Sequence, residues 1–302
     1  MGDLLDLVRL IISGFCFGAI GIFVKVIGND ISSIFLSSIR LLVTPVLIFS
    51  YLLLTGKTEE IYFSRKDPFM KFIIGGVLGF GPTLGFYISS LKIISVSEAV
   101  FLHSVAFPLS AIFYKNIKDR GSVRTPEWLS LGMALVGIVL IYGLNPVISG
   151  GKMLGYTYAF ISGIFYAVTS VSLKMLGEKR TLMGTIFWPL FIGGVFLLPF
   201  SFLEGPVFEP GFPTIMSLGG LILISTFLGF LMMAWGMKKV DVHVGSITLI
   251  LSEPAAAVLL AWSFLGEVPG ISVIFGGLFV IGAGIVLKLS AVDFLRYLKK
   301  AD

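Results

Sequence analysis

Two apolar stretches near the end of the chain decide the fold: residues 243–264 read HVGSITLILSEPAAAVLLAWSF, and residues 270–289 read GISVIFGGLFVIGAGIVLKL. Each stretch is close to the length of about 20 residues that a helix needs to cross a bilayer. Glu253 is the only acidic residue in either of them. Five residues, LGEVP, separate the two stretches. We therefore predict two membrane-spanning helices joined by a tight loop.

Ten apolar runs of this kind follow one another along the chain, separated by short polar breaks. The composition agrees with them, because 56% of the residues are hydrophobic, 13% are charged and the mean hydropathy is +1.01, whereas a soluble domain has about 25% charged residues. We predict an all-α membrane protein with ten transmembrane helices and no inserted soluble domain. The predicted helices lie near residues 7–27, 31–54, 69–91, 96–114, 127–145, 153–175, 182–203, 214–236, 243–264 and 270–289.

Lysines and arginines are distributed unevenly about these helices. Lys25, Lys92 and Lys152 fall on one side of the membrane, Arg40 lies within a helix, and the other basic residues fall on the side of both termini. Because Lys and Arg accumulate in cytoplasmic loops, we expect a multi-pass protein of the cell (inner) membrane with both termini cytoplasmic. The net charge of +5 then reflects membrane orientation, since no dense basic patch indicates a nucleic-acid partner. The first run lacks a basic leader and a cleavage site, so we predict a first helix and no signal peptide.

The second half of the chain repeats the first at an offset of about 147 residues. Three pairs of matching anchors carry the repeat: residues 13–17 with Lys25 and residues 162–166 with Lys174; Lys92 with Pro108 and Lys238 with Pro254; and residues 137–140 and 284–287. A repeat of five helices is odd, so the second half must enter the membrane from the opposite side. We predict a first five-helix repeat over residues 1–145, an inverted second repeat over 146–290, and a cytoplasmic amphipathic tail over 291–302. Inverted repeats are typical of secondary transporters, whose substrate site lies at mid-membrane between the halves.

The motifs of the chain resemble the EamA family of the drug/metabolite transporter superfamily, over nearly its whole length. The best-matching segments are Leu251-Ser252-Glu253-Pro254, Phe264-Leu265-Gly266-Glu267, the glycines at 276, 277 and 282, and, in the first half, Phe23, Lys25 and Ser38-Ile39-Arg40. The first half departs from the pattern, because Phe107-Pro108 stands where the second half has Glu253-Pro254. The resemblance implies a transporter of small metabolites, often amino acids and often an exporter.

Ionisable residues inside the bilayer are costly and mark candidate functional sites. Arg40 lies about 14 Å and Glu253 about 15 Å inside their helices at the helical rise of about 1.5 Å per residue, near the middle of a hydrocarbon core about 30 Å thick. Arg40 suits a substrate carboxylate because its guanidinium donates two parallel hydrogen bonds. Glu253 suits an amine or a transported proton. The structural alternative is an ion pair between the two.

His103 and Glu98 lie in the fourth predicted helix. His103 is a candidate for substrate binding or, with Glu253, for proton coupling, and the alternative is a packed histidine bonded to a neighbouring helix. Glu98 is expected at the outer mouth. In the third helix Gly79, Gly81 and Pro82 predict a hinge, with close packing through small residues as the alternative.

Further polar and aromatic side chains of the predicted helices could line the same cavity and complete the predicted substrate site. An aromatic residue in a membrane helix also commonly faces lipid or the interface, so that alternative stays open for them. These candidates are Phe80, Thr83, Tyr87, Tyr166, Thr169, Trp188, Thr248 and Ser252.

Secondary transport by alternating access is the function that these patterns favour. No glycine-rich ATP-binding motif occurs, so a substrate gradient or a coupled ion is expected to supply the energy, and proton coupling through Glu253 or His103 is one hypothesis. A drug or lipid exporter of the same fold and, less favoured, an intramembrane enzyme are the alternatives; no nucleophile motif stands out, so no catalytic residue is predicted. The single cysteine, Cys16, cannot form an intramolecular disulfide, and no metal site or cofactor is predicted. The expected partners are a small-molecule substrate, the bilayer and protons, with a monomer or homodimer as the assembly.

Overall fold

The computed structural model describes residues 2–62, 69–119, 125–143, 150–177, 180–205, 207–238, 240 and 242–301. Within these ranges the chain is helical apart from short connections and one isolated β-bridge between Ile31 and Phe208. A bilayer offers the backbone no hydrogen-bond partners, so an apolar chain that crosses it satisfies its own amides by forming helices. The prediction of an all-α membrane protein is confirmed.

Nine helices of the described residues are long and apolar enough to cross a membrane, and a tenth has a shorter apolar part, Ile271–Leu287. We number them in chain order. They are α1 (Leu4–Ile27), α2 (Ser33–Leu54), α3 (Phe69–Ile93), α4 (Val96–Ile117), α5 (Thr125–Tyr142), α6 (Gly151–Gly177), α7 (Leu182–Glu204), α8 (Phe212–Gly236), α9 (Val244–Leu265) and α10 (Ile271–Ala301).

The helices pack in pairs that map onto one another when the two halves are exchanged. Helix α2 packs against α7 and α5 against α10, so each of these pairs joins equivalent helices of the two halves. Helix α1 packs against α8 and α9, and α6, its equivalent, packs against α3 and α4. This pattern is the one expected of two repeats related by a two-fold axis in the membrane plane. The predicted boundary between the repeats, at residues 145 and 146, lies outside the described residues.

Large apolar side chains lie on the outside of the bundle and polar ones lie within it. Leu203 and Leu54 are 83% and 88% exposed, whereas Arg40 and Thr83 are each 3% exposed. The buried hydroxyls donate hydrogen bonds to backbone carbonyls of neighbouring helices, as Ser13 does to Gly229 and Ser38 does to Gly194. In lipid, such bonds and close packing replace the hydrophobic effect as the forces that hold helices together.

Glycines at equivalent positions bring α1 and α6 close to their neighbours. A Cβ atom at Gly14 would lie 1.9 Å from the Ser252 Oγ of α9, and one at Gly163 would lie 2.6 Å from the backbone oxygen of His103 in α4. Neither helix could approach its partner this closely with a larger side chain. The repeat therefore preserves the positions at which the two halves interlock.

Besides the π-helical end of α4 at Lys115–Asp119, two helices contain an internal π-helical segment, and these two lie at equivalent places in the repeat. These segments are Gly76–Phe80 in α3 and Leu221–Leu228 in α8. Such widened turns are rare and are concentrated at functional sites. In α3 the segment ends just before Pro82, whose missing N–H cannot continue a regular helix.

Candidate functional site

A cavity of about 970 Å³ lies between the two halves of the bundle. Its walls are mainly apolar, with Phe17, Phe80, Phe107, Phe230 and Met233 among them. The rings of Phe17 and Phe80 pack edge-on against Phe230, with centroids 5.1 and 6.2 Å apart. Five ionisable side chains that lie deep in the bundle line the same cavity: Arg40, Tyr87, His103, Tyr166 and Glu253.

The bundle has two ends, which the connections between helices define. The basic end comprises residues 55–62, 115–119, 180–181 and 237–238, and the far end comprises residues 28–32, 94–95, 207–211 and 266–270. The cavity reaches the basic end, where Tyr114, Lys115, Lys174 and Met237 line it. No described residue of the far end lines it. The structure is therefore a conformation that is open toward the end rich in basic residues.

Arg40 lies in α2 and is held by the π-helical segment of α8. Its Nε donates a hydrogen bond of 2.7 Å to the Thr226 Oγ1, which itself donates to the backbone oxygen of Leu221. The Arg40 side chain is 3% exposed, and its Nη1 has no hydrogen-bond partner among the described residues. A buried charged donor without a partner is costly. Arg40 is thus fixed at one nitrogen and still able to bind an anion.

Glu253 lies in α9, immediately before Pro254, and faces the same cavity. Its carboxylate interacts electrostatically with Arg40, but the ion pairs closer than 4.0 Å in the described part of the chain do not include these two residues. The structural ion pair considered from the sequence is therefore not formed in this conformation. The two opposite charges instead remain available to a molecule between them.

His103 lies in a stack of three rings. The centroid of its imidazole is 4.6 Å from that of Tyr87 in α3 and 4.8 Å from that of Tyr166 in α6. Its Nδ1 lies 2.8 Å from the Oγ of Ser162, and that hydroxyl is 2.6 Å from the backbone oxygen of Ala159. The stack joins the two halves of the bundle at the level of the charged residues.

The cavity brings together seven of the eleven predicted substrate-binding residues. These seven are Arg40, Phe80, Thr83, Tyr87, His103, Tyr166 and Glu253. They come from five different helices: α2, α3, α4, α6 and α9.

The other four predicted residues lie away from the cavity lining. Thr169 is 3.4 Å from Thr83 between their hydroxyls, and Thr248 donates to the backbone oxygen of Val244 in its own helix. Trp188 donates to the Ile61 oxygen near the basic end, and Ser252 packs at the interface with Gly14. Phe17, Phe107, Thr226 and Phe230 were not predicted. The repeat could have indicated two of these, because Phe17 is equivalent to Tyr166 and Phe107 to Glu253.

The residues of the predicted hinge, Gly79, Gly81 and Pro82, lie in and beside the π-helical segment of α3. A Cβ atom at Gly79 would be 2.9 Å from the Thr169 Oγ1, and one at Gly81 would be 3.2 Å from the backbone oxygen of Gly193. In this conformation the glycines therefore serve close packing against α6 and α7, which was the alternative to a hinge.

The far end is closed by a polar cluster that we call the seal. The Nζ of Lys25 lies 3.4 Å from the Glu267 Oε1 and donates to the Ile94 backbone oxygen at 2.8 Å. Glu267 also accepts a 2.7 Å hydrogen bond from the backbone N–H of Val96. The seal thus ties the end of α1, the start of α4 and the α9–α10 loop together.

Glu98, which the sequence placed near the outer end of its helix, lies in the first turn of α4 beside the seal and is buried, at 6% exposure. Its carboxylate accepts from the Ser95 backbone N–H and hydroxyl, which caps α4, and from the Tyr156 hydroxyl of α6 at 2.8 Å. The carboxylate thus serves a helix cap and a contact between the two halves at the closed end.

Comparisons with known proteins agree with this architecture. The family model of the EamA-like transporter family matches residues 6–143 and 153–289, one match in each half. A protein of Archaeoglobus fulgidus named as an uncharacterized transporter is 25% identical over 282 residues, which cover 92% of this chain and 94% of that protein. The uncharacterized transporter YoaV of Bacillus subtilis is 23% identical, covering 83% of this chain and 86% of its own.

A further relative and a solved structure extend the comparison. The uncharacterized inner membrane transporter YicL of Salmonella typhimurium is 24% identical, with 94% of this chain and 95% of that protein covered. A solved structure superposes with a TM-score of 0.66 at 17% identity, covering 96% of this chain and 98% of the other, so the two share the fold. With the family model covering both halves, the chain belongs to the EamA-like transporter family and is a multi-pass membrane transporter.

Proposed function

We propose that the protein is a secondary transporter that exports small metabolites, amino acids among them, across the cell (inner) membrane by alternating access. The observation that carries this proposal is the state of Arg40 inside the cavity. It is buried, anchored at Nε and without a partner at Nη1. A substrate carboxylate would supply the missing acceptor, and Glu253 would balance or bind a cationic group of the same substrate.

The two ends of the bundle support alternation between an inward-open and an outward-open state. The cavity is open at the basic end and closed by the seal at the far end. If the basic end faces the cytoplasm, as the distribution of Lys and Arg favours, this conformation is the inward-open one. The equivalent packing of the two halves supplies a second conformation of similar energy, in which the far end opens instead.

Glu253 is the proposed site of proton coupling. It is an ionisable carboxyl deep in the membrane that lies near Arg40 without an ion pair, so its charge can change between the two states at limited structural cost. A proton bound there would return to the cytoplasm while the substrate leaves.

Flux measurements on purified protein in liposomes test the proposal. Wild-type protein should move radiolabelled amino acids, screened as a panel, and Arg40→Ala should reduce flux by on the order of a hundredfold, since removing one partner of a buried charged pair costs about 2–5 kcal/mol. Thr248→Val is the matched control, because Thr248 lies in α9 but outside the cavity lining. Full transport by Arg40→Ala would refute the proposed site.

The same panel decides between metabolite export and the alternative of drug or lipid export. The largely apolar wall, with Phe17, Phe80 and Phe230, is the observation that favours the alternative. Transport of apolar cations, unaffected by Arg40→Ala, would identify a drug exporter. We propose no enzymatic activity.

A further inference from the structure

The hydrogen bonds around His103 determine where its proton resides. Ser162 has a single hydroxyl proton, and this proton is directed to the Ala159 backbone oxygen, 2.6 Å away. The Ser162 oxygen can therefore only accept from the imidazole, whose Nδ1 is 2.8 Å away. With the Ser162 hydroxyl assigned as the donor to Ala159, Nδ1 carries the proton, and in a neutral imidazole Nε2 is then an acceptor.

The packing around the ring determines which edge of His103 reaches the cavity. The rings of Tyr87 and Tyr166 both pack against the imidazole, and Nδ1 lies within hydrogen-bond distance of Ser162. His103 nevertheless lines the cavity and is 6% exposed. Of the two ring nitrogens, Nε2 is the one without a protein partner among the described residues.

Gly163 makes this arrangement possible. The absence of a side chain there lets α6 approach the backbone oxygen of His103, which brings the neighbouring Ser162 within hydrogen-bond distance of the ring. At the equivalent position of the second half, α9 has Leu249, which lines the cavity without any hydrogen-bonding group. The histidine is thus a feature of one half only.

We infer that His103 is a specificity-determining residue whose Nε2 is a fixed hydrogen-bond acceptor, selecting substrates that carry an N–H or O–H donor some distance from the anionic group bound at Arg40. This inference rests on the proposed function. It assigns His103 to substrate recognition and removes it from the candidates for proton coupling, leaving Glu253. The acceptor role requires a neutral ring among the charged and titratable groups that line the deep part of the cavity: Arg40 of α2, Tyr87 of α3, Tyr166 of α6 and Glu253 of α9. Tyr114, Lys115, Glu127 and Lys174 line it nearer the basic end.

The protonation of His103 can be observed directly. The chain has one other histidine, His243, so His243→Gln leaves His103 as the only signal in nitrogen NMR of protein labelled at histidine. The expected spectrum is that of the neutral Nδ1–H form from about pH 6 to about pH 8, and Ser162→Ala should perturb it. An imidazolium at about pH 6, or the Nε2–H form, would overturn the inference.

Selectivity is tested with a pair of probes of equal charge: L-phenylalanine and its N,N,N-trimethyl derivative, which keeps both charges, has no N–H and is larger by three methyl groups. Binding is measured by calorimetry on wild type, His103→Leu and His103→Gln. His103→Leu, which installs the residue of the second half, should reduce the preference for L-phenylalanine by about tenfold. His103→Gln retains an acceptor and should preserve most of the preference.

The outcomes separate the inference from the function on which it rests. Equal losses of both probes in His103→Leu would show that the ring only shapes the cavity and would overturn the inference while leaving the transporter intact. If neither probe binds wild-type protein, the selectivity assigned to His103 fails with the proposed substrate class. The NMR spectrum then tests the protonation of His103 separately from the proposed substrate class, because the spectrum can be recorded without a ligand.

Discussion

Helices α4 and α9 occupy equivalent places in the two halves but line the cavity with different chemistry. Helix α4 presents His103 and Phe107, whereas α9 presents Leu249 and Glu253 at the equivalent positions. Arg40 belongs to the first half alone, and Glu253 to the second. A substrate bound among them would contact two unlike walls.

The features that the two halves have in common lie where helices pack against each other. Gly14 and Gly163 are equivalent, and both lie where a helix touches its neighbour. The π-helical segments of α3 and α8 are also equivalent. The two halves therefore share residues at packing contacts between helices and differ at the positions that face the cavity. A substrate without two-fold symmetry would fit two such different walls.

The largest expected effect comes from breaking the shared packing. Gly14→Val would place side-chain atoms within the volume of Ser252, and overpacking of this kind costs about 1–3 kcal/mol or more. We expect little folded protein in detergent by size-exclusion chromatography, and the same for Gly163→Val. The control is Gly219→Val, because a Cβ atom at Gly219 meets nothing within 4 Å. If Gly163→Val folds normally and Gly14→Val does not, the close packing at these two equivalent positions does not contribute equally to folding.

The next effect comes from removing the charge that only the second half has. Glu253→Gln should abolish the part of the flux that an imposed pH gradient drives, about tenfold to a hundredfold for a coupling free energy of about 1–3 kcal/mol. Exchange of substrate at equal pH should persist. A variant that still responds to the pH gradient would exclude Glu253 as the coupling site, and Phe107→Glu is expected not to restore coupling.

A smaller effect is expected at the seal, which contrasts Lys25 with its repeat equivalent Lys174. Lys25 pairs with Glu267 at the closed end, whereas Lys174 lies over the Tyr114 ring, 3.6 Å from its centroid, at the open end. The contribution of a partly exposed ion pair is up to about 1 kcal/mol, so Lys25→Met should open the far end about threefold more often.

Labelling of an introduced cysteine measures this opening. Ser97 is buried beside the seal, so Ser97→Cys in a Cys16→Ser background should be labelled about threefold faster by an aqueous thiol reagent when Lys25→Met is present. Lys174→Met should leave the rate unchanged. Equal acceleration by both substitutions would mean that the two lysines do not belong to opposite ends of the cycle.

The smallest effect on transport is expected at Trp188. Its Nε1 donates to the Ile61 backbone oxygen at 2.7 Å, and it lies outside the cavity lining. Trp188→Phe should lower the free energy of unfolding by about 1 kcal/mol and leave substrate affinity within about twofold. A large loss of substrate affinity at unchanged thermal stability would show that Trp188 contributes to substrate binding.

The errors in the predicted site share one physical reason. Depth along a helix follows from counting residues, so Arg40 and Glu253 were placed correctly at the same level. Direction around a helix normally follows from hydrophobic periodicity, but here lipid and an apolar cavity wall both favour the same residue types. Thr248 and Ser252 flank Leu249 and Glu253 in sequence, and only the fold shows that the first two face away from the cavity.

The sequence by itself determined the helices, the repeat, the family and the few ionisable residues whose burial in a membrane is costly. These follow from local quantities: the length of an apolar run, the offset between similar motifs and the cost of a buried charge. Tertiary structure alone decided that Arg40 and Glu253 are not paired, that Thr226 holds the Arg40 guanidinium, and that Ser162 lies within hydrogen-bond distance of the His103 Nδ1. Those relations join residues far apart in the chain, and they depend on interhelical distances of a few ångströms that no local pattern encodes.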